Sequence, residues 1–212
     1  MPSLIYIADP MCSWCYGFGP ELATLLQGLP ELPLEIMVGG LRIHNPKAMD
    51  EASRATLLSH WKQVEQASGR PFVHGALASP DFVYDTEPAC RALVAARMLA
   101  PAASLYVFHA IQHAFYATGW DVTQGDVLAQ VASTALAETG FTIEPAAFRA
   151  KWTAPETIAA TAEDFDQVRR WGISGFPALL LERDGNLDLV TSGYMNIEGL
   201  VANMQAIIDQ DA

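Results

Sequence analysis

The most constraining feature of the sequence is a pair of cysteines, Cys12 and Cys15, that lies between a strand-like run and a helix-like segment. Residues 4–7 are apolar and predict a short buried strand, and helical spacing of leucines follows the cysteines. A helix N-terminus favours negative charge through its unpaired N–H groups, and the thiolate is the reactive form of cysteine. The placement therefore restricts the pair to redox chemistry, metal binding or packing.

The order of the remaining elements predicts an α/β fold in which one sheet domain is interrupted by helices. Residues 33–38 alternate as a second strand, so the chain opens strand, helix, strand. Two late strand-like runs flank residues 184–186, a hairpin signal, and a final helix follows. We therefore expect residues 1–41 and 172–212 to form one domain, with residues 42–171 as a helical insertion.

The insertion is predicted to consist of helices. Apolar residues recur at helical intervals in residues 52–67, 86–98, 101–115, 123–136 and 155–171. Thr86 and Thr123 precede two of these segments and are predicted N-caps, as is Asn196 for the last helix of the chain.

Composition excludes some classes of partner and favours a reducing compartment. The formal net charge of −12 argues against nucleic acid and anionic membranes, because both require a basic surface. No apolar run approaches the ~18 residues of a membrane-spanning helix, and the N-terminus lacks the pattern of a secretory signal. Three cysteines in 212 residues do not make a disulfide framework. We expect a cytoplasmic protein whose C-x-x-C motif is catalytic or metal-binding.

The cysteine pair has two alternative interpretations, as half of a zinc site and as an attachment site for c-type haem. His109 and His113 are four residues apart and could join Cys12 and Cys15 in a Cys₂His₂ zinc site. These histidines lie among apolar residues, where partly buried polar core residues are commoner than ligands. Attachment of c-type haem needs a histidine directly after the second cysteine, and residue 16 is Tyr16. The haem alternative is excluded, and zinc stays open.

Two short motifs carry a resemblance to a known family. The C-x-x-C after the first strand and the segment Gly175-Phe176-Pro177 before the hairpin together resemble a thioredoxin fold. The helical insertion resembles the DsbA type, and the CSWCY segment at residues 12–16 is similar to the cytoplasmic FrnE-like branch of the DsbA family. The resemblance implies a thioredoxin-like fold with a large all-helical insertion between its βαβ and ββα halves.

The resemblance also implies roles for individual residues. Cys12 would be the exposed nucleophile, Cys15 the shielded resolving thiol, and Pro177 a cis-proline facing them. The backbone of Phe176 would then be free to pair with an extended substrate segment. The residues expected to contact substrate are Ser13, Trp14, Tyr16 and Phe176, with Phe18 added to an apolar lip around the dithiol.

Several positions depart from the family pattern. Ser13 and Trp14 bring no histidine between the cysteines, so we expect less extreme oxidising power than in DsbA. Relatives often carry a buried acid six positions before the first cysteine, where this chain has Tyr6. Asp9 is expected to cap the helix rather than to transfer protons, and Cys90 is expected to be a small buried residue.

The predicted function is that of a cytoplasmic thiol–disulfide oxidoreductase with a redox-active disulfide. Its partners would be disulfide-bearing proteins or peptides, with glutathione as a candidate electron partner and no other cofactor. A reducing compartment favours disulfide reductase or disulfide isomerase activity over oxidation. The first alternative is a glutathione-dependent transferase or isomerase of the kappa type, against which Cys15 argues because those enzymes need no second cysteine. The second alternative is a zinc-stabilised binding module.

Overall fold

The computed structural model, which describes residues 2–209, is built on a four-stranded mixed sheet. Its strands are β1 (Ser3–Ala8), β2 (Leu34–Val38), β3 (Ala178–Arg183) and β4 (Asn186–Ser192). Their order in the sheet is β2-β1-β3-β4, with β1 parallel to β2 and the other neighbours antiparallel. The parallel pair needs a crossover, which the first helix supplies, whereas β3 and β4 are joined by a tight hairpin.

Eight α-helices accompany the sheet in the described part of the chain. They are α1 (Ser13–Gly28), α2 (Glu51–Ser68), α3 (Glu87–Leu99), α4 (Ser104–Gln112), α5 (Gly125–Glu138), α6 (Pro145–Trp152), α7 (Pro155–Arg170) and α8 (Ile197–Asp209). The helices α2 to α7 all lie between β2 and β3 in the chain, as the sequence predicts. Within residues 2–209 no helix is both long and apolar enough to cross a membrane.

The helix α6 is absent from the predicted elements. It has eight residues, begins with Pro145 at its first position and buries only Phe148 completely. A single deeply buried side chain in two turns cannot produce a recognisable helical repeat, so hydrophobic periodicity misses the helix.

Two of the three predicted caps are wrong. The hydroxyl of Thr86 accepts a hydrogen bond from the Arg42 amide at 3.1 Å, and the hydroxyl of Thr123 donates to Asp121 at 2.6 Å. Neither hydroxyl caps its helix. The prediction for Asn196 is confirmed, because its Oδ1 accepts from the Gly199 amide at 3.0 Å. Long-range and loop partners have replaced the helix amides at both threonines.

The first turns of α1 lie between two hydrophobic cores. One core covers a face of the sheet and includes Cys12, Cys15 and Phe18. The other fills the helical insertion and includes Met11 and Tyr16. The dithiol segment therefore sits at the junction where the sheet meets the insertion.

A partly buried ion pair ties the insertion to the sheet. The guanidinium of Arg97, on α3, donates to both carboxylate oxygens of Asp164, on α7, at 2.8 Å each. Arg97 also donates to the Ile36 carbonyl of β2 at 2.6 Å, and Asp164 accepts from the Val38 amide at 3.0 Å. Because these bonds join two helices to the strand beside β1, they fix the C-terminal end of β2, which leads into residues 39–41.

Candidate active site

Cys12 is the residue directly before α1. Its backbone is extended (φ −86°, ψ 115°) and its side chain caps no helix amide. The sulfur lies 3.6 Å from the carbonyl oxygen of Phe176, in contact distance for a thiol donor. The N–H groups of the first turn of a helix have no intrahelical acceptor, so negative charge on a group at this position is favoured.

The expectation that Cys12 is exposed is wrong. The residue is 4% exposed, and the three cysteines of the chain are free thiols. The Phe176 carbonyl and the sheet-side core cover most of the sulfur. Only a narrow part of residue 12 faces solvent, so a reacting group must approach along the edge that Phe176 borders.

Cys15 lies one helical turn behind Cys12 and is completely buried. Burial raises the pKa of the Cys15 thiol well above its ordinary value, and the neighbouring Cys12 sulfur raises the pKa further. The backbone amide of Asp9 acts in the opposite direction, because it hydrogen-bonds to the sulfur. At neutral pH Cys15 is therefore a protonated thiol held within reach of Cys12.

The loop before β3 brings Phe176 and Pro177 to the dithiol, and the peptide bond between them is cis. The Phe176 ring rests on the backbone of Gly39, just beyond β2. A Cβ at residue 39 would lie 2.2 Å from that ring, closer than any real contact allows. Gly39 therefore contributes to the site because it has no side chain and leaves room for the Phe176 ring. From the sequence, this position was expected only to follow the end of a strand.

Replacing Gly39 with alanine is expected to lower the free energy of unfolding by about 1–3 kcal/mol, because the new methyl group must displace the Phe176 ring. The matched control is Gly28→Ala, at the end of α1, where no atom lies within 4 Å of the new Cβ. The control should change stability by less than about 1 kcal/mol. Urea denaturation measures both variants, and equal effects would contradict the packing argument.

Asp9 is buried and does not cap α1, contrary to expectation. Its carboxylate accepts from the Met11 amide at 2.8 Å, from the Leu41 amide at 2.7 Å and from the Cys90 thiol at 3.4 Å. Burial raises the pKa of Asp9, and the hydrogen bonds, led by that from Thr86, lower it in part. Asp9 thus joins the loop after β1 to the loop after β2 and, through the Cys90 thiol, to α3.

The raised pKa of Asp9 predicts the pH dependence of stability. A carboxyl group with a higher pKa in the folded state contributes stability that is complete below the unfolded pKa, near 4, and lost as the pH rises through the folded pKa. The free energy of unfolding of Asp9→Asn, relative to that of the parent protein, should therefore increase from about pH 4 upward. Urea denaturation at several pH values measures this slope, and the altered hydrogen bonding of asparagine adds only a constant offset.

The control for that slope is Asp50→Asn. The exposed carboxylate of Asp50 accepts from the Ser53 amide at 2.7 Å, and this bond lowers the pKa of Asp50. Its contribution is present above the unfolded pKa and lost as the pH falls, so the relative stability of Asp50→Asn should decrease with rising pH. A flat profile for Asp9→Asn beside a falling one for Asp50→Asn would contradict the assignment of Asp9.

Tyr6, on β1, occupies the place beneath the dithiol where the family pattern has an acid. Its side chain is fully buried, and its hydroxyl has no oxygen or nitrogen partner. Burial raises the pKa of Tyr6 well above the ordinary value, and the adjacent sulfurs of Cys15 and Cys12 raise the pKa further. The hydroxyl therefore stays protonated, and a thiolate formed at Cys15 would find a donor there.

Ser13 and Trp14 form the start of α1, and both are half-buried. The Trp14 ring packs on Tyr194, with ring centroids 5.5 Å apart. Tyr194 donates to Glu21 of α1 at 3.4 Å, and the other oxygen of Glu21 accepts from the Ile197 amide at 2.7 Å. Trp14 thus keeps a solvent-facing part beside the dithiol while the start of α8 holds its orientation.

Tyr16 and Phe18 do not belong to the apolar lip that the sequence suggested. Tyr16 is 1% exposed and stacks on Tyr116 of the insertion, with centroids 4.7 Å apart. Phe18 is completely buried and packs with Tyr6 in the sheet-side core. Both rings are needed to fill the two cores on either side of α1, so neither is free to contact a substrate.

The four side chains of the alternative zinc site are not brought together. Among the described residues no group of three or more metal-binding side chains converges on one point. His109 and His113 line a cavity of the insertion with Arg70, whereas Cys12 contacts the Phe176 carbonyl and Cys15 is buried in the sheet-side core. The C-x-x-C pair is left with one thiol at the surface edge and one buried thiol.

Comparison with known proteins supplies close matches over the whole chain. A family model described as a DSBA-like thioredoxin domain matches residues 4–205. A crystal structure of a proposed protein disulfide isomerase from Nitrosomonas europaea is 36% identical, with a TM-score of 0.88, and the match covers 100% of this chain and 99% of that one. No curated protein sequence matches the chain.

Two further solved structures are similar in fold. The cytosolic disulfide reductase DsbM of Pseudomonas aeruginosa is 26% identical with a TM-score of 0.75, over 98% of this chain and 99% of that one, and it has also been solved with glutathione. A 2-hydroxychromene-2-carboxylate isomerase is 14% identical with a TM-score of 0.64, over 98% and 97% of the two chains. At that identity the isomerase shares only the fold with this chain.

Proposed function

The chain belongs to the family of DSBA-like thioredoxin domains, and from this premise we propose that it is a thiol–disulfide oxidoreductase that reduces or isomerises disulfides of proteins or peptides. The predicted thioredoxin-like fold with its helical insertion is confirmed by the same membership. The observation that carries the proposal is the pairing of a thiol at the N-terminus of α1 with a buried thiol one turn behind it, beside the Phe176 carbonyl.

The proposed reaction begins at Cys12. Its thiolate attacks one sulfur of the substrate disulfide, so that a mixed disulfide forms and the other substrate sulfur leaves as a thiolate. The Cys15 thiol then gives its proton to the substrate thiolate that left in the first step and attacks the Cys12 sulfur. This step releases the second substrate thiolate and leaves a Cys12–Cys15 disulfide, so two electrons have passed from the dithiol to the substrate.

The surrounding residues support the order of these steps. Because burial keeps Cys15 protonated and out of reach of solvent, Cys12 is the thiol that an arriving substrate meets first. Deprotonation of Cys15 becomes easier once Cys12 is bound in the mixed disulfide, because the Cys12 sulfur no longer raises the pKa of Cys15. The Tyr6 hydroxyl can then donate to the Cys15 thiolate. The substrate chain would lie along Phe176 and the half-buried face of Trp14 and Ser13.

The dithiol must be reduced again before the next cycle, and we propose glutathione as the electron donor. Two glutathione thiols would carry the two electrons and leave as glutathione disulfide. The similar Pseudomonas protein is a cytosolic disulfide reductase that has been solved with glutathione, which supports this choice of donor and a cytoplasmic location. In a glutathione-buffered compartment such a dithiol is kept reduced and therefore acts as a reductase or isomerase.

The proposal is tested by trapping the intermediate. The Cys15→Ala variant, mixed with a peptide carrying an intramolecular disulfide, should accumulate a mixed disulfide between Cys12 and the peptide, visible by intact-protein mass spectrometry. The parent protein should instead release reduced peptide. The Cys12→Ala/Cys15→Ala variant is the matched control and should form no adduct. Conjugation of glutathione to a small electrophile that survives in Cys15→Ala would favour the kappa-type transferase instead.

A further inference from the structure

A cavity of about 520 Å³ lies in the helical insertion, between α4, α5 and the segment that follows α2. This volume is within the usual range for sites of small organic ligands. None of its lining residues belongs to the dithiol segment or to the Phe176 loop. The charged, histidine and aromatic side chains at its wall are Arg70, Tyr106, His109, His113, Trp120 and Glu138.

Arg70 brings an unpaired cation to this cavity. Its guanidinium lies over the Tyr16 ring, 4.0 Å from the centroid, and its Nε atom is buried without a hydrogen-bond partner. The half-buried Arg91 and Arg97 are each paired with a carboxylate, but no ion pair within residues 2–209 involves Arg70. A partly buried cation without a counter-charge is costly, and an anion entering the cavity would remove that cost.

His109 places a second unsatisfied nitrogen beside Arg70. Its Nε2 atom is buried and has no partner, and burial, aided by Arg70, lowers the pKa of His109 to about 4. The ring is therefore neutral at pH 7 and can share a hydrogen bond without adding charge. Both Arg70 Nη1 and His109 Nε2 lie within 4 Å of where a Cβ on Gly19 would stand, so the missing side chain of Gly19 leaves room for both.

The outer wall of the cavity is aromatic and apolar. Trp120 is 49% exposed and Tyr106 is 47% exposed, unusually open for side chains of this size. The backbone of α4 widens into a π-helical turn at His113–Ala117, which borders the cavity, and such turns are frequent at functional sites. The Tyr106 hydroxyl donates to Glu138 at 2.5 Å, which holds one negative charge at the rim.

We propose that this cavity binds a monocarboxylate with an apolar or aromatic body, the carboxylate on Arg70 and the body against Trp120 and Tyr106. The cavity offers one cation, and Glu138 already places a negative charge at its rim. A ligand with one negative charge is therefore favoured over a ligand with two. Gly19 lies seven residues after Cys12, about 10 Å along α1, so the ligand occupies a site separate from the dithiol. Both a free small carboxylate and the C-terminus of a peptide carry this chemistry.

The test uses calorimetric titration with N-acetyl-L-phenylalanine and with its uncharged amide. The parent protein should bind the acid more tightly than the amide. Arg70→Gln should weaken binding of the acid by about ten- to a hundredfold, because a charge-assisted hydrogen bond is lost, and should leave the amide unchanged. Arg149→Gln, at an exposed arginine of α6, is the charge-matched control and should bind as the parent does.

A second variant tests the proposal even if Arg70→Gln fails to fold. Thr134 lines the cavity from an exposed position of α5, so Thr134→Trp should block binding while leaving Arg70 in place. A peptide that ends in phenylalanine, with a free or an amidated C-terminus, shows whether the natural ligand is a small carboxylate or a peptide. Much tighter binding of the free-ended peptide than of N-acetyl-L-phenylalanine favours a peptide C-terminus. Absence of acid binding to the parent protein, or equal affinity for acid and amide, would overturn the proposal.

Discussion

Replacing Cys12 with serine is expected to lower the rate of disulfide reduction by ~10³-fold or more, the scale on which loss of a nucleophile acts. A serine hydroxyl is not ionised near neutral pH, and its oxygen cannot replace sulfur in a disulfide that Cys15 could later resolve. The rate is measured by reduction of a peptide disulfide with glutathione as the electron source. The thermal unfolding midpoint should stay near that of the parent protein, because serine is close in size to cysteine.

The matched control for this experiment is Cys90→Ser. Cys90 is buried on α3 and donates to Asp9, and serine keeps a donor at that position. The control should retain a rate close to that of the parent protein. Full activity of Cys12→Ser would contradict the assignment of the reaction to the C-x-x-C motif. A loss in Cys90→Ser as large as that in Cys12→Ser would contradict it as well.

Replacing Asp164 with alanine is expected to lower the free energy of unfolding by about 3 kcal/mol. The Asp164 side chain is 8% exposed and that of Arg97 20%, so the variant leaves a largely buried guanidinium without its counter-charge. It also removes the acceptor of the Val38 amide, next to the loop that carries Gly39. Urea denaturation measures the loss.

Two companion variants separate the buried pair from an ordinary surface pair. Asp166→Ala, on the same helix, breaks an exposed pair with Arg169 and should cost less than about 1 kcal/mol. Removing both buried charges in Arg97→Met/Asp164→Leu should be less destabilising than Asp164→Ala alone, because no unpaired charge remains. Equal losses in Asp164→Ala and Asp166→Ala would show that the buried Arg97–Asp164 ion pair, which joins α3 and α7 to β2, is not a major source of stability.

The features that could be predicted from the sequence are those encoded within a few neighbouring residues. The four strands, seven of the eight described helices and the placement of Cys12 and Cys15 at a helix start all follow from local periodicity and turn residues. The meeting of the cysteines with Phe176 was anticipated only through the family resemblance. No local pattern relates residue 12 to residue 176, since sheet pairing alone brings them together.

Only the tertiary structure decided which side chains are buried in the two cores and which lie at the site. Tyr16 and Phe18 are two residues apart on one helix, yet they enter opposite cores, because partners far along the chain pack on both sides of α1. Asp9 does not cap α1 as predicted, but accepts hydrogen bonds from the Leu41 amide and the Cys90 thiol, which lie far along the chain. The sequence thus determined the dithiol and the elements that carry it. The narrow exposure of Cys12, the role of Gly39 and the unpaired Arg70 depend on long-range packing, which no short stretch of residues encodes.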